Sequence, residues 1–242
     1  MIDVNLKYQS VLFANCSGIT LEPDSLQRLI KTFEKYKLIP TMYTEVSAGR
    51  LVNRVAMASP EENFAIQIGT MSLDISVIPT AESGISFTFD QFIDRCKDLI
   101  SLFQEEYGVT MERLSLMREH LGQPLQPEQL DQVYNRLFGH LNVEGKVYEW
   151  NFRTCRRHTE LILGSSTELN VNLVLSRVRG DVLVSNGVQF IDRIGFNIDI
   201  NTVPGRGDSK FTSEGINQFY DAAKILTSAE FAYAEARINE GL

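Results

Sequence analysis

The residue types that could do chemistry in this chain lie in one loop and in a small set of polar strand segments. The loop reads VPGRGDSK over residues 203–210, between a strand-like and a helix-like run. Gly205, Gly207 and Lys210 would suit a phosphate-binding loop, because backbone N–H groups at a helix N-terminus attract anions. The third glycine of a dinucleotide fingerprint and the lysine spacing of a P-loop are missing. A solvated strand-to-helix turn is the simpler interpretation, and a nucleotide- or phosphate-binding enzyme or sensor is the alternative.

The same loop contains Arg-Gly-Asp-Ser, the sequence that adhesion receptors recognise. Short motifs recur by chance, and nothing else in the chain indicates an extracellular protein. We therefore do not interpret it as an adhesion signal.

The segment RTCRRH, residues 153–158, is the densest polar cluster. Cys155 with His158 or His140 would suit a nucleophile and its base, but residues three apart in a strand point to opposite faces. The cysteines and histidines also lack the paired spacing of zinc sites. We predict no catalytic residue, no metal site and no cofactor, and the question of an enzyme stays open with the balance against it.

Four arginines form the candidate binding site. Arg153 and Arg157 share one side of a predicted strand, and Arg177 and Arg179 share one side of a later strand. If the two strands are neighbours, the arginines form a basic stripe that could hold a phosphate backbone or an acidic protein. The alternative is ion pairing across the sheet, for which the nearby acidic residues are Glu149, Glu160, Glu168 and Asp181.

The elements that carry these residues follow from the pattern of apolar side chains. Runs that alternate between apolar and polar residues, such as 194–200, predict strands. Thr88 and Gln91 form a capping box that predicts a helix ending at Gly108. Asn186-Gly187 predicts a hairpin.

The two halves of the chain resemble each other. LDISVIPTAESGISFTFDQF (73–92) and NIDINTVPGRGDSKFTSEGINQF (197–219) each contain Asp-Ile, a proline, a small-residue loop and then Phe-Thr before a helix. Asp74 and Asp199 occupy equivalent places on the polar face of their strands, which explains them without catalysis. We predict an α+β fold of mostly antiparallel sheets covered by long helices, with two similar lobes related by this internal repeat. The lobes span residues 1–122 and 123–242, or are fused into one domain.

Bulk composition limits the classes of protein. The chain has 242 residues and a net charge of −8, which favours solubility and opposes broad nucleic-acid binding. Its three cysteines include no CxxC pair, which suits a reducing compartment. No signal-peptide pattern and no apolar run of transmembrane length is visible. We expect a cytoplasmic protein with no membrane partner.

The stretch FTFDQFIDRCKDLISLFQEEYGVTMERLSLM (87–117) and the closing IDIN strand with its helix resemble a sporadically distributed family of uncharacterised bacterial proteins of similar length. The resemblance covers most of the chain. It implies a strand–long helix–strand segment in mid-chain and no established catalytic residues. The sporadic distribution implies mobile genes, linked to phage defence or to a toxin–antitoxin-like operon.

These observations predict a non-enzymatic, macromolecule-binding component of a bacterial cytosolic system with an unidentified protein partner. The pseudo-symmetry is compatible with a homodimer. Nucleic-acid binding through the arginine-bearing sheet face is an alternative that the net charge disfavours.

Overall fold

The computed structural model describes residues 2–59, 61–78, 87–139, 141, 144–184, 187–204 and 211–240. The strands in these ranges are β1 (Ile2–Phe13), β2 (Ile39–Ser47), β3 (Arg50–Ser59), β4 (Phe64–Ile68), β5 (Ser72–Val77), β6 (Arg113–Gly122), β7 (Asn151–Ile162), β8 (Ser165–Val184) and β9 (Gly187–Thr202). The helices are α1 (Pro23–Thr32), α2 (Phe89–Tyr107), α3 (Pro127–Phe138) and α4 (Ser213–Asn239), with a short 3-10 helix at Glu34–Tyr36. The predicted α+β class with antiparallel strands is confirmed.

All nine strands belong to one antiparallel sheet in the order β2-β3-β4-β5-β1-β6-β9-β8-β7. β1 and β6 pair at its centre, with Ser10 opposite Leu116. β6 also pairs with β9, so the sheet runs without a break across the boundary predicted at residues 122 and 123. The strands of both halves therefore share one hydrogen-bonded layer.

The helices pack together on one face of this sheet. Phe33, just after α1, stacks on Phe103 of α2 with ring centroids 6.4 Å apart. Lys97 of α2 pairs with Asp221 of α4 at 2.6 Å. Strand residues that point toward the helices are apolar and fully buried, and they form the core; examples are Ile66, Ile75, Leu173 and Ile198.

Local sequence signals place the central helix. The Thr88 hydroxyl accepts a hydrogen bond from the Gln91 backbone at 3.2 Å, and the Gln91 side chain accepts one from the Thr88 N–H at 2.8 Å. Gly108 ends α2 with φ +62°, a conformation that glycine adopts without strain. The predicted capping box and helix end are confirmed, and the apolar side chains of Phe92, Cys96, Leu99 and Phe103 are buried.

The other face of the sheet is covered by no helix of the described residues, and it is polar at its centre. The Ser115 hydroxyl donates to Asp199 Oδ1 at 2.7 Å, and Asn201 Nδ2 donates to Asp199 Oδ2 at 2.7 Å. Gln9 Nε2 donates to Asp74 Oδ2 at 2.5 Å. Asp74 and Asp199 thus lie on the same face of the sheet, each held by neighbouring side chains.

Two hairpins extend beyond the strands that flank them. Residues 178–184 of β8 and 187–193 of β9 form strand pairs only with each other, because β7 begins to pair at Ser176 of β8, the Arg177 N–H donates to the Trp150 carbonyl, and β6 begins at Gly195 of β9. We call these residues the C-terminal ribbon. Residues 43–54 of the β2–β3 hairpin are likewise paired only with each other, since β4 first pairs with β3 at Val55. We call these the N-terminal ribbon.

Across the part of the chain that the structure describes, no helix combines the length and apolar character needed to cross a membrane.

Candidate binding site

A cleft of about 510 Å³ lies at the base of the C-terminal ribbon and contains two of the predicted arginines. We call it the arginine cleft. Its walls are the ribbon, the segment before β7 and the prolines that lead into α3. Its charged and aromatic lining includes Lys146, Tyr148, Arg177, Arg179, Phe190 and Asp192.

Arg177 is the fixed centre of the cleft. Its Nε and Nη2 atoms donate to the two carboxylate oxygens of Asp192 at 2.7 and 2.8 Å. Its Nη1 donates to Asp131 of α3 at 3.1 Å. Hydrogen bonds that Arg177 donates to Asp192 raise the pKa of Arg177, and the same contact lowers the pKa of Asp192. Since Arg177 is only 6% exposed, this cluster ties the ribbon to α3 and leaves the guanidinium little surface for a ligand.

Arg179 is the exposed arginine of the cleft. Its Nε lies 3.5 Å from Asp192 Oδ2, and 37% of its side chain is exposed. Its guanidinium carbon stands 5.2 Å from the ring centroid of Tyr148 and 5.4 Å from that of Phe190. Both rings are more than half exposed. A cation held beside aromatic faces in this way keeps its charge available to solvent.

The cleft is locally basic although the chain is acidic. Its walls include three cationic side chains and one carboxylate, namely Lys146, Arg177 and Arg179 against Asp192. Asp131 adds a second negative charge, 3.6 Å from Lys146. The remaining excess of positive charge, beside Tyr148 and Phe190, suits an anion that carries an apolar or planar group.

Arg153 and Arg157 lie elsewhere. β7 and β8 are neighbours, as the predicted stripe requires, but Arg153 faces Val174 and Arg157 faces Asn170 across the pair. Those positions are on the uncovered face of the sheet, whereas Arg177 and Arg179 are on the helix side. The four arginines therefore form two separate pairs instead of one stripe. Both Arg153 and Arg157 are exposed, and Arg157 is 4.0 Å from Glu168.

Of the other candidate catalytic and phosphate-binding residues, only some lie within the described residues. Cys155 is exposed on the uncovered face, while His158 is on the helix side beside Glu160 at 3.3 Å. Their side chains point to opposite sides of β7, as expected for residues three apart in a strand. His140 and the loop residues Gly205, Gly207 and Lys210 lie outside the described residues. Among the residues that are described, no group of three or more His, Cys, Asp or Glu side chains could hold a metal ion.

Sequence reasoning missed the partners that define the cleft. Asp131 and Asp192 hold Arg177, instead of the four acidic residues that the strand pattern suggested. Asp192 pairs directly with Arg179, but a turn formed by Asn186-Gly187 would place Asp181 opposite it, so the hairpin signal does not indicate this pair. Asp131, Lys146 and Tyr148 meet the ribbon only through tertiary packing, for which the sequence carries no signal. Comparison of the chain with models of protein families and with curated proteins finds no match.

Proposed function

We propose that this chain is a non-enzymatic binding protein that holds an acidic segment of a protein partner in the arginine cleft. The observation that carries the proposal is the exposed guanidinium of Arg179, held between Tyr148 and Phe190 on a ribbon that extends beyond the rest of the sheet. An extended partner segment has access to a ribbon that no neighbouring strand covers. Val188 and Phe190, both more than half exposed, supply apolar contact area.

Charge complementarity supports an acidic partner. The cleft concentrates positive charge in a chain whose net charge is −8. Such a local field attracts a carboxylate-rich segment, while the rest of the surface repels a long polyanion. We therefore favour a protein partner over a nucleic acid.

Single-stranded nucleic acid is the second candidate, and the exposed rings of Tyr148 and Phe190 are what favours it. Bases stack on exposed aromatic side chains, and neighbouring arginines contact the phosphates. The site differs from the arginine-bearing open face predicted from the sequence, since only Arg177 and Arg179 of the four contribute to it.

Titration of two labelled probes separates the candidates. A fluorescein-labelled glutamate-rich peptide and a labelled oligo-dT are each titrated with the protein at low salt, and binding is followed by fluorescence anisotropy. We expect the peptide to bind, and Arg179→Glu to raise its dissociation constant by tenfold or more. A change of this size is on the order of the cost of losing one charge pair. Arg153→Glu is the matched control, because Arg153 is also an exposed strand arginine but lies on the other face.

The outcomes differ in what they mean. Binding of oligo-dT but not of peptide, lost in Arg179→Glu, would move the assignment to nucleic acid. Equal weakening by Arg153→Glu and Arg179→Glu would indicate a non-specific charge effect and would count against the cleft.

We also infer that the chain is built from two copies of one unit, as the sequence repeat suggests. Asp74 pairs with Val11 of β1, and Asp199 pairs with Met117 of β6. Val11 and Met117 are separated along the chain by the same number of residues as Ser10 and Leu116. Ser10 and Leu116 face each other where β1 meets β6. This register supports a two-fold axis through the central pair. A two-fold rotation that fails to superpose β1, β5 and α2 on β6, β9 and α4 would contradict it.

A further inference from the structure

We propose that the free edge of β2 pairs with β2 of a second copy of the chain, antiparallel and centred on Thr44. The result is a two-fold dimer in which the two sheets become continuous. This inference is independent of the proposed function, because β2 is at one edge of the sheet and the arginine cleft lies beside β8 and β9, toward the other.

The turn at the tip of the N-terminal ribbon determines which backbone groups are free. Ala48 and Gly49 connect β2 to β3 and have φ +48° and +75°, as in a type I′ turn. In such a hairpin Ser47 and Arg50 exchange both backbone hydrogen bonds, and the pattern alternates from there. The N–H and C=O groups of Met42, Thr44 and Val46 therefore point away from β3, toward the open edge.

The backbone of Pro40 also faces the open edge, and this residue limits where a partner strand can lie. It has no N–H to donate, which is tolerated at an edge position. Pairing centred on Thr44 places residues 41–47 opposite residues 47–41 of the second copy and leaves Pro40 outside. Centring on Tyr43 would place Pro40 opposite Val46 of the second copy and lose a hydrogen bond. The Thr44 register is therefore favoured.

The side chains of the edge complement their own copies in this register. Met42 is 60% exposed and Val46 is 74% exposed, and both lie on the same face of β2. Leu51 of β3 pairs with Val46 and is 77% exposed. Centring on Thr44 places Met42 against Val46 of the second copy, so the six side chains form one apolar cluster across the junction. Apolar pairs of this kind stabilise neighbouring strands.

The edge also lacks the charges that usually prevent pairing. The one ionisable carboxylate of β2, Glu45, already accepts hydrogen bonds from the Thr70 backbone and lies 3.9 Å from Arg54. By contrast, the opposite edge strand β7 carries Arg153, Arg157 and Glu160 among other charged residues. Charged edge strands resist pairing, so the sheet has one protected edge and one open edge. Homotypic antiparallel pairing uses the same patch twice and closes after two copies.

Sedimentation equilibrium of the full chain tests the dimer. We expect the wild-type chain to be a dimer at about 50 µM, and Val46→Lys to raise the dissociation constant by tenfold or more. Val188→Lys is the matched control, since Val188 is 70% exposed on the other ribbon. We expect it to stay dimeric. A wild-type chain that is monomeric at this concentration, or a Val46→Lys variant as dimeric as the control, overturns the proposal and leaves the edge to another protein's strand.

A cross-link tests the register itself. In a Cys155→Ser background, which removes the one exposed cysteine of the chain, Thr44→Cys places two thiols opposite each other across the two-fold axis. The Cα atoms of such a pair are about 5.5 Å apart, within the range that a disulfide spans. We expect mild oxidation to give a covalent dimer from Thr44→Cys and not from Thr159→Cys on β7. Equal cross-linking in both variants overturns the register.

Discussion

Arg177 holds the base of the C-terminal ribbon against α3, because its guanidinium bridges Asp192 of the ribbon and Asp131 of the helix. A two-stranded ribbon is marginally stable by itself, so this tie decides whether the arginine cleft is formed. The neighbouring Arg179 has a different task. It is exposed, and its replacement would remove the proposed ligand contact without removing the tie.

Replacing each arginine singly should distinguish the structural role of Arg177 from the role of Arg179. We expect Arg177→Met to lower the free energy of unfolding by about 2–3 kcal/mol, because both carboxylates lose their buried partner. Arg179→Met should cost about 1 kcal/mol or less, as for other exposed ion pairs. Urea denaturation followed by circular dichroism measures both. Equal losses in the two variants would show that Arg177 is not the structural member of the pair.

His120 makes stability depend on pH. The side chain is fully buried, stacks on Phe196 at 4.8 Å and meets the edge of Phe231 at 4.8 Å. Burial and the nearby Arg118 lower the pKa of His120 to about 3. The unfolded chain takes up this proton below its ordinary pKa of 6.5, whereas the folded chain does not. The stabilising contribution of the neutral ring is therefore complete above pH 6.5 and decreases as the pH falls toward 3.

We expect His120→Phe to reduce this acid sensitivity. In the wild-type chain the His120 contribution falls by about 1.4 kcal/mol per pH unit below the unfolded pKa, and phenylalanine has no proton to gain. Urea unfolding at neutral pH and at about pH 4.5 gives the comparison. Parallel pH profiles for wild type and His120→Phe would exclude the explanation.

Among the helices and strands, the sequence predicts features that depend on residues close together in the chain. It does not predict the register between strands. The helix from Thr88 to Gly108 is predicted because its cap, apolar stripe and glycine stop all lie within one continuous stretch. The β8–β9 hairpin is also predicted, but its register is not. Val184 faces Gly187, so Gly187 already belongs to β9, one residue earlier than a turn formed by Asn186-Gly187 would place it. The residues 185–186 between the strands lie outside the described residues.

This difference in register explains why the arginine partners were missed. A turn formed by Asn186-Gly187 would put Asp181 opposite Asp192 and Arg179 opposite Ile194. The observed pairing puts Arg179 opposite Asp192 and Asp181 opposite Phe190. Like charges directly opposite each other destabilise a strand pair, and opposite charges stabilise it. Electrostatic pairing along the ribbon therefore agrees with the observed register, which the turn dipeptide by itself does not specify.

The separation of the arginines has the same kind of cause. Arg153 and Arg157 share the parity of Cys155 on β7, and Arg177 and Arg179 share a parity on β8. Alternate residues of a strand point to opposite faces, and the register between two strands decides which of their residues share a face. Here the register places Arg153 opposite Val174. A sequence shows which residues of one strand share a face, but it does not show the register between two strands. The predicted stripe combined two parities that the fold places on opposite faces.

At the scale of the whole molecule, one sheet joins both halves. The central pair of β1 and β6 means that neither half closes its own sheet. We expect the chain to unfold in a single transition. Trp150, the one tryptophan, is buried in the C-terminal half, so its fluorescence reports that half while circular dichroism reports the whole. The two urea curves should coincide at a fixed protein concentration. A fluorescence transition that precedes the circular dichroism transition would indicate two independently folding lobes.

The central claim is that the arginine cleft, and not the open sheet face, holds a protein partner. Affinity capture from a lysate of the native host, compared by mass spectrometry between wild type, Arg179→Glu and Arg153→Glu, tests it most directly. We predict that wild type and Arg153→Glu both retain a protein that Arg179→Glu loses. A partner lost from Arg153→Glu and retained by Arg179→Glu would refute binding in the arginine cleft and place it on the open face of the sheet.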